Sequence, residues 1–170
     1  MLRGRRVTKD RLATQPADLT RFLFEAKDHG YADIQRVRPT AERDHSLTMD
    51  YESGDWRFHD NFFGGEPYGG RAVVFVKGRP LWMMVYYGCV DGTDADVQPV
   101  YTFLQAALRQ APAELPLRGP EEFSDGPFTY RMAVHGTVEN FWGEETIHRH
   151  GRQVYVARFA GGLVDRRRGE

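Results

Sequence analysis

The stretch AVVFVKGRPLWMMVYY, residues 72–87, decides the fold. Two apolar runs flank Lys77-Gly78-Arg79-Pro80, and together they read as the strongest strand pair of the chain. Glycine at the first central position makes Gly78-Arg79 a candidate type II′ hairpin turn. In that register Val74 and Val76 share a face with Leu81 and Met83, while Val73 and Phe75 share the other with Trp82 and Met84. Both faces are apolar, which predicts a central ribbon covered on both sides.

Weaker strand signals lie on either side. Leu47, Met49 and Tyr51 alternate with Thr48 and Asp50, predicting a hairpin over 46–60 that turns at Ser53-Gly54. Tyr51 then faces Trp56 and Met49 faces Phe58, with Asp50–Arg57 and Thr48–His59 on the opposite side. The same count puts Asp60 on the core face, where a carboxylate needs a partner. Phe128, Tyr130, Met132 and Val134 alternate along a further strand. A last hairpin joins 141–149 to 152–160 through His150-Gly151. There Trp142 faces Phe159, Ile147 faces Val154, and Glu145 sits diagonally beside Arg158.

Two segments carry helical spacing instead. Pro16-Ala17-Asp18 opens the first, with Asp18 as its cap and Leu19, Phe22, Leu23 and Ala26 on one face. The second covers roughly 97–110, with Val100, Phe103, Leu104, Ala107 and Leu108 as its buried stripe, and Pro112 stops it. The sum is about seven strands and two helices joined mainly by hairpins. That predicts an α+β domain over 16–165, a curved antiparallel sheet with both helices packed on one face. Basic tails over 1–15 and 166–170 flank it, and no tandem repeat is visible.

Composition narrows the function classes. The chain has 170 residues, is 41% hydrophobic and carries a formal net charge of -1, so it is built to bury a core. That charge argues against a general nucleic-acid binder, and the basic tails read as solvated ends. Cys89 is the one cysteine, which excludes an intrachain disulfide and a Cys-rich metal site. The N-terminus lacks an apolar signal region and no run approaches a membrane span, so a cytoplasmic location is expected.

Several motifs together resemble a known family. They are Phe22-Leu-Phe-Glu-Ala-Lys27 with Tyr31, Phe58-His59-Asp60, Phe63-Gly64-Gly65, Pro80 to Gly88, Phe103 to Leu108, Leu117-Arg-Gly-Pro120 and Phe141 to Ile147. The set is similar to an uncharacterised bacterial domain-of-unknown-function family. Its members are sometimes fused behind a helix-turn-helix repressor-type domain. The resemblance implies at most a sensor or regulatory role.

The residues offer several sites of their own. His59, Asp60 and Glu145 are the candidate acid/base set, with Arg118 to orient a ligand. Trp56, Phe63, Tyr68, Trp82, Met84, Tyr86, Trp142 and Tyr155 are candidates to line an apolar pocket. The competing account is an ordinary core with a structural network in which Glu145 pairs with Arg158. His148-x-His150 has strand spacing for a metal, but Arg149 and Arg152 oppose a cation, so no metal is expected. The Gly-rich run 62–70 lacks the residues of a phosphate loop, and no cofactor is expected. Three functions follow in order: a small-ligand or partner-binding regulatory module on an aromatic sheet face, a small hydrolase or isomerase using His59, and a structural homodimer.

Overall fold

In the computed structural model the ribbon at 72–87 lies in the middle of an open, nine-stranded, fully antiparallel sheet. Residues 16–31, 38–91 and 97–165 are described, and both expected basic tails lie outside them. The elements are α1 (Pro16–Tyr31), β1 (Thr40–Ala41), β2 (Leu47–Ser53), β3 (Trp56–Gly64), β4 (Tyr68–Val76), β5 (Arg79–Val90), α2 (Val97–Leu108), β6 (Glu122–Asp125), β7 (Phe128–Thr137), β8 (Asn140–Arg149) and β9 (Arg152–Leu163). The strands run in the order β1-β2-β3-β4-β5-β9-β8-β7-β6. Both helices pack on one face, α1 over β2 and β3, α2 over β6 and β7. Asp18 is not a cap. It lies inside the first turn and pairs with Arg21 at 3.2 Å.

Four strand readings change. The β4–β5 turn is Lys77-Gly78, both with positive φ (51° and 73°), and a bulge follows between Val74 and Phe75. Val74 therefore faces Trp82, and Val73 faces Met83. A one-residue shift exchanges faces, so Ala72, Val74, Trp82, Met84 and Tyr86 form the core side. The β2–β3 turn is Gly54-Asp55, a slip of two residues that keeps Asp60 on the core side, now opposite Met49. The Gly-rich run is mostly strand, since β3 continues to Gly64 and β4 begins at Tyr68. At the last hairpin the turn is His150-Gly151 as expected, but a bulge between Ile147 and His148 advances the register. Glu144 thereby faces Arg158, at 2.9 Å, and the inward-pointing Glu145 lies opposite Ala157.

The expected second cover is missing among the described residues. On the side away from the helices Val85 and Tyr87 are exposed, while Val73 is buried by its neighbours and Arg57 lies over the Phe75 ring. Long side chains laid along the strands do part of the work that a second layer was expected to do.

The strands hide a duplication that identity does not show. Each half is a helix followed by a four-stranded meander, β2–β5 in the first (with the two-residue β1 added at its edge) and β6–β9 in the second, and the last strands, β5 and β9, pair to join them. Leu19, Phe22, Leu23 and Ala26 of α1 recur as Val100, Phe103, Leu104 and Ala107 of α2. The closing pair Ser53–Trp56 recurs as Asp125–Phe128, and the turn Lys77-Gly78 as His150-Gly151. Even the bulges match, Val74/Phe75 with Ile147/His148. Two halves folded alike around one seam place the centre of the helix-side face between α1 and α2.

Candidate functional site

At that centre a polar network is buried in an otherwise apolar layer. Glu145 on β8 has no exposed surface and Arg118, in the loop before β6, has 3%. The alternation of β8 aims Glu145 inward with Phe141 and Ile147, and its carboxylate meets the Arg118 guanidinium in a fork, Nη2 to Oε1 at 2.5 Å and Nε to Oε2 at 3.1 Å. Two hydroxyls donate to the same carboxylate, Tyr130 at 2.7 Å and Tyr155 at 2.9 Å. The Gly119 amide donates to the Tyr130 oxygen at 3.0 Å. Tyr68 and Tyr155 share a hydrogen bond at 2.6 Å, and Arg118 reaches the Tyr68 oxygen at 3.3 Å.

A second polar group adjoins it. The Tyr86 hydroxyl donates to Asp60 at 2.6 Å, and the Arg118 guanidinium lies 5.7 Å from the Tyr86 ring centre. Lys27, from the last turns of α1, donates to the carbonyl of Leu117 and so ties the helix to the Arg118 loop. Burial pushes the Lys27 amine well below its ordinary value, and the nearby Arg118 charge adds to the effect. Burial also raises Asp60, only partly offset by the Tyr86 hydrogen bond and Arg118. For Glu145 burial is outweighed by the Arg118 charge and the donated hydrogen bonds, which hold it below the usual range.

The network reaches the surface at one side. Tyr101 of α2 stands edge-on to Tyr68 and Tyr155, with ring centres at 5.8 and 6.3 Å. Its hydroxyl donates to Glu66, whose other oxygen accepts the Val90 amide at 2.9 Å. Tyr68 and Tyr101 are half-buried and Glu66 is exposed, so these residues form the rim. Burial, then the Glu66 carboxylate, raises the Tyr101 hydroxyl far above its ordinary value.

The expected residues divide cleanly. Asp60, Tyr68, Tyr86, Arg118, Glu145 and Tyr155 converge. His59 does not join them. Neighbours on a strand point to opposite faces, and His59 bonds Asp50 at 3.0 Å on the outward side. Trp82 and Met84 are sealed in the core, where the Trp82 indole donates to the Val138 carbonyl at 2.7 Å. Trp56 packs on Phe22 of α1, and Phe63 and Trp142 lie on the outward face. The expected pairing of Glu145 with Arg158 is replaced by Glu144 with Arg158. Among the described residues no group of three metal-ligating side chains forms. Lys27, Tyr101 and Tyr130 were not singled out as site residues. Tyr130 stood in an inward-facing row, Lys27 followed the buried helix motif directly, and Tyr101 sits one position after the buried Val100 of α2.

The carboxyl of Asp60 gives a pH test. A raised folded pKa means that the ionised form is disfavoured by folding. The penalty is absent below the unfolded value near 3.8, grows as pH rises through the folded pKa, and is complete above it. Asp60→Asn removes it at every pH and retains an acceptor for Tyr86. The variant should therefore gain stability relative to the parent as pH rises above the unfolded carboxyl's range, measured by urea unfolding across a pH series. A difference that stays flat, or moves the other way, contradicts this account.

No helix among the described residues is long and apolar enough to cross a membrane. No curated protein and no solved structure matches the chain. Residues 60–164, from the buried Asp60 to the end of β9, match a family described as a domain of unknown function. These residues contain every member of the network except Lys27, and by this match the chain belongs to the DUF5680 family.

Proposed function

We propose that the chain is a small-molecule-binding, sensor-like module whose ligand enters at the Glu66–Tyr101 rim and is read by the Tyr68–Arg118–Glu145–Tyr155 network. One observation carries this reading. Seven of the polar positions have an apolar counterpart in the other half of the duplicated fold, while Arg118 lies in the loop before β6, outside the paired strands. Glu145 corresponds to Ala72, Tyr130 to Phe58, Tyr155 to Trp82, Tyr68 to Phe141, Tyr86 to Phe159, Asp60 to Met132 and Lys27 to Leu108. All these counterparts are buried in the same core. The framework thus builds every one of these sites with an apolar side chain once already. Burying the charges costs several kcal/mol of desolvation per ion, which good pairing returns only in part. Ordered donors in a dry layer are what selective recognition of a polar ligand requires.

The rim supports a ligand class. The Val90 amide and the Tyr101 hydroxyl both point at one carboxylate, and Glu66 supplies it from the β3–β4 turn. An amphipathic carboxylate, its acid on those two donors and its apolar body against Tyr68 and Tyr101, fits the same seat. The acid/base reading has less support, because His59 stands on the other side of the sheet.

Benzoate and larger aromatic carboxylates test this by thermal shift on the parent and on Glu66→Ala. Emptying the seat should strengthen binding. Ligand at about a hundred times Kd stabilises by ~2.7 kcal/mol, roughly 5–10 °C in a domain of this size. Tyr101→Phe in the same background should abolish the rise. Absence of any saturable shift in both proteins removes the proposal.

A further inference from the structure

The side of the sheet away from the helices holds four of the large exposed apolar residues: Phe63 at 48%, Val85 at 47%, Tyr87 at 59% and Trp142 at 60%. They are contiguous. One cross-strand row reads Phe63–Gly69–Tyr87–Arg158–Glu144–Ala133. The next reads Asn61–Arg71–Val85–Ala160–Trp142–His135. Tyr87 leans over Gly69, and Trp142 stacks on His135 with ring centres 4.0 Å apart. Monomers seldom present a continuous apolar patch at the middle of an open sheet.

We infer that this face is the interface of a homodimer in which two sheets pack face to face about a two-fold axis running along the β5–β9 seam. The relief of the seam carries the assignment. Outward residues on β5 are large (Met83, Val85, Tyr87), whereas those beside them on β9 are small at Gly162 and Ala160. A two-fold axis parallel to these strands lays β5 of one copy on β9 of the other. Met83 then meets Gly162 and Val85 meets Ala160, each contact made twice, as an isologous interface demands. Strand directions stay near parallel, as in aligned sheet packing.

Charge and shape agree further out. The same operation lays β4 on β8 of the second copy. Arg71, which has no ion-pair partner among the described residues, comes over Trp142 and within reach of Glu144 of that copy. Tyr87 comes over Arg158, whose guanidinium is already held by Glu144. Phe63 comes over Ala133, which with Arg131, Glu144 and Thr146 lines a groove of about 520 Å³. The two halves thus complement each other at particular positions, Arg71 coming beside Glu144 and the large Met83 and Val85 over the small Gly162 and Ala160. Six strands by three rows make roughly 600 Å² of flat sheet per copy, of the order of the ~800 Å² per partner of a stable interface.

Light scattering on the size-exclusion peak of the full chain, over a wide range of concentration, tests this. A dimer is expected at micromolar concentrations. Val85→Glu should weaken it by about 30-fold or more, as loss of a central contact does. Its circular dichroism and melting should persist, because Val85 is exposed in the monomer. Arg71→Glu and Glu144→Arg should each weaken the dimer, and the double swap should restore affinity relative to either alone. A chain that stays monomeric throughout overturns the inference, since the face then belongs to another partner. So does a dimer indifferent to Val85→Glu, or a double swap no better than the single ones.

Discussion

Glu145→Ala should be among the most damaging single substitutions in this protein, with a loss of about 3–5 kcal/mol. The size follows from what is left behind. Removing the carboxylate strands the Arg118 guanidinium in a dry layer without its ion-pair partner, and leaves the Tyr130 and Tyr155 hydroxyls without that acceptor. In a chain of this length the loss corresponds to roughly 6–20 °C in melting temperature. Glu145→Gln, which keeps the shape and one acceptor, should fall between. The compensating experiment is sharper. Arg118→Met, Glu145→Leu, Tyr130→Phe and Tyr155→Phe together remove the ion pair and both hydroxyls bonded to it, leaving only the Gly119 amide and the half-buried Tyr68 hydroxyl without those partners. Large charged networks replaced in this way are commonly neutral or stabilising, so the quadruple variant should lie within about 1 kcal/mol of the parent or above it. It should also lose every ligand-induced shift. Urea unfolding of both variants checks the pair. A quadruple variant as unstable as Glu145→Ala would show that the network serves the fold rather than a ligand.

Gly161→Ala should cost about 3 kcal/mol or more, at the upper end of what overpacking does. A methyl there would lie 2.1 Å from the Met83 carbonyl oxygen and 2.8 Å from the Met84 Cα. Both are backbone atoms of β5, and no rotamer change relieves them. The substitution forces apart the β5–β9 ladder, the one connection between the two halves of the sheet. The counterpart glycine in the first half behaves differently. At Gly88 the neighbours are the Ala157 methyl, the Tyr155 hydroxyl and the Tyr68 ring, at 2.8, 3.0 and 3.0 Å. The Ala157 methyl is fixed to the β9 backbone, but the two rings can yield, so Gly88→Ala should cost less stability than Gly161→Ala while pushing Tyr155 off Glu145 and Tyr68 off Tyr155. Paired unfolding curves and ligand titrations should show Gly161→Ala losing mainly stability and Gly88→Ala losing mainly binding. Equal effects on both quantities would contradict the distinction.

Much of the fold was legible because period-two alternation survives errors of register. The hairpin at 46–60 turns one residue later than Ser53-Gly54 suggests, yet the slip is two residues in register and Asp60 still points inward. The site was less legible for a related reason. A bulge leaves no periodic trace, and the one opposite Ile147, where β9 carries the extra residue Val154, decides that Arg158 pairs with Glu144 and not with Glu145. With straight pairing Glu145 falls beside Arg158, so its ion pair with Arg118 does not show even though both stand in the same candidate set. Lys27 is a lysine next to an apolar stripe, and such residues usually face water. The duplication escaped because its two halves keep spacing and turn geometry while sharing few identities. Phe22-Leu23 with Ala26 and Phe103-Leu104 with Ala107 are among the few that remain.

Consider what a pair of separate, identical half-chains joined through such a ladder would be able to hold at its axis. Any acid, base or phenol introduced into one would be introduced into the other at the same moment, and both sides would carry its burden. Covalent linkage frees the two sides to drift apart. One copy of a position can stay greasy and carry the framework while its twin takes on a carboxylate, as Ala72 and Glu145 have done. Lopsidedness at the centre of a nearly symmetrical body is therefore what joining the halves in one polypeptide makes possible.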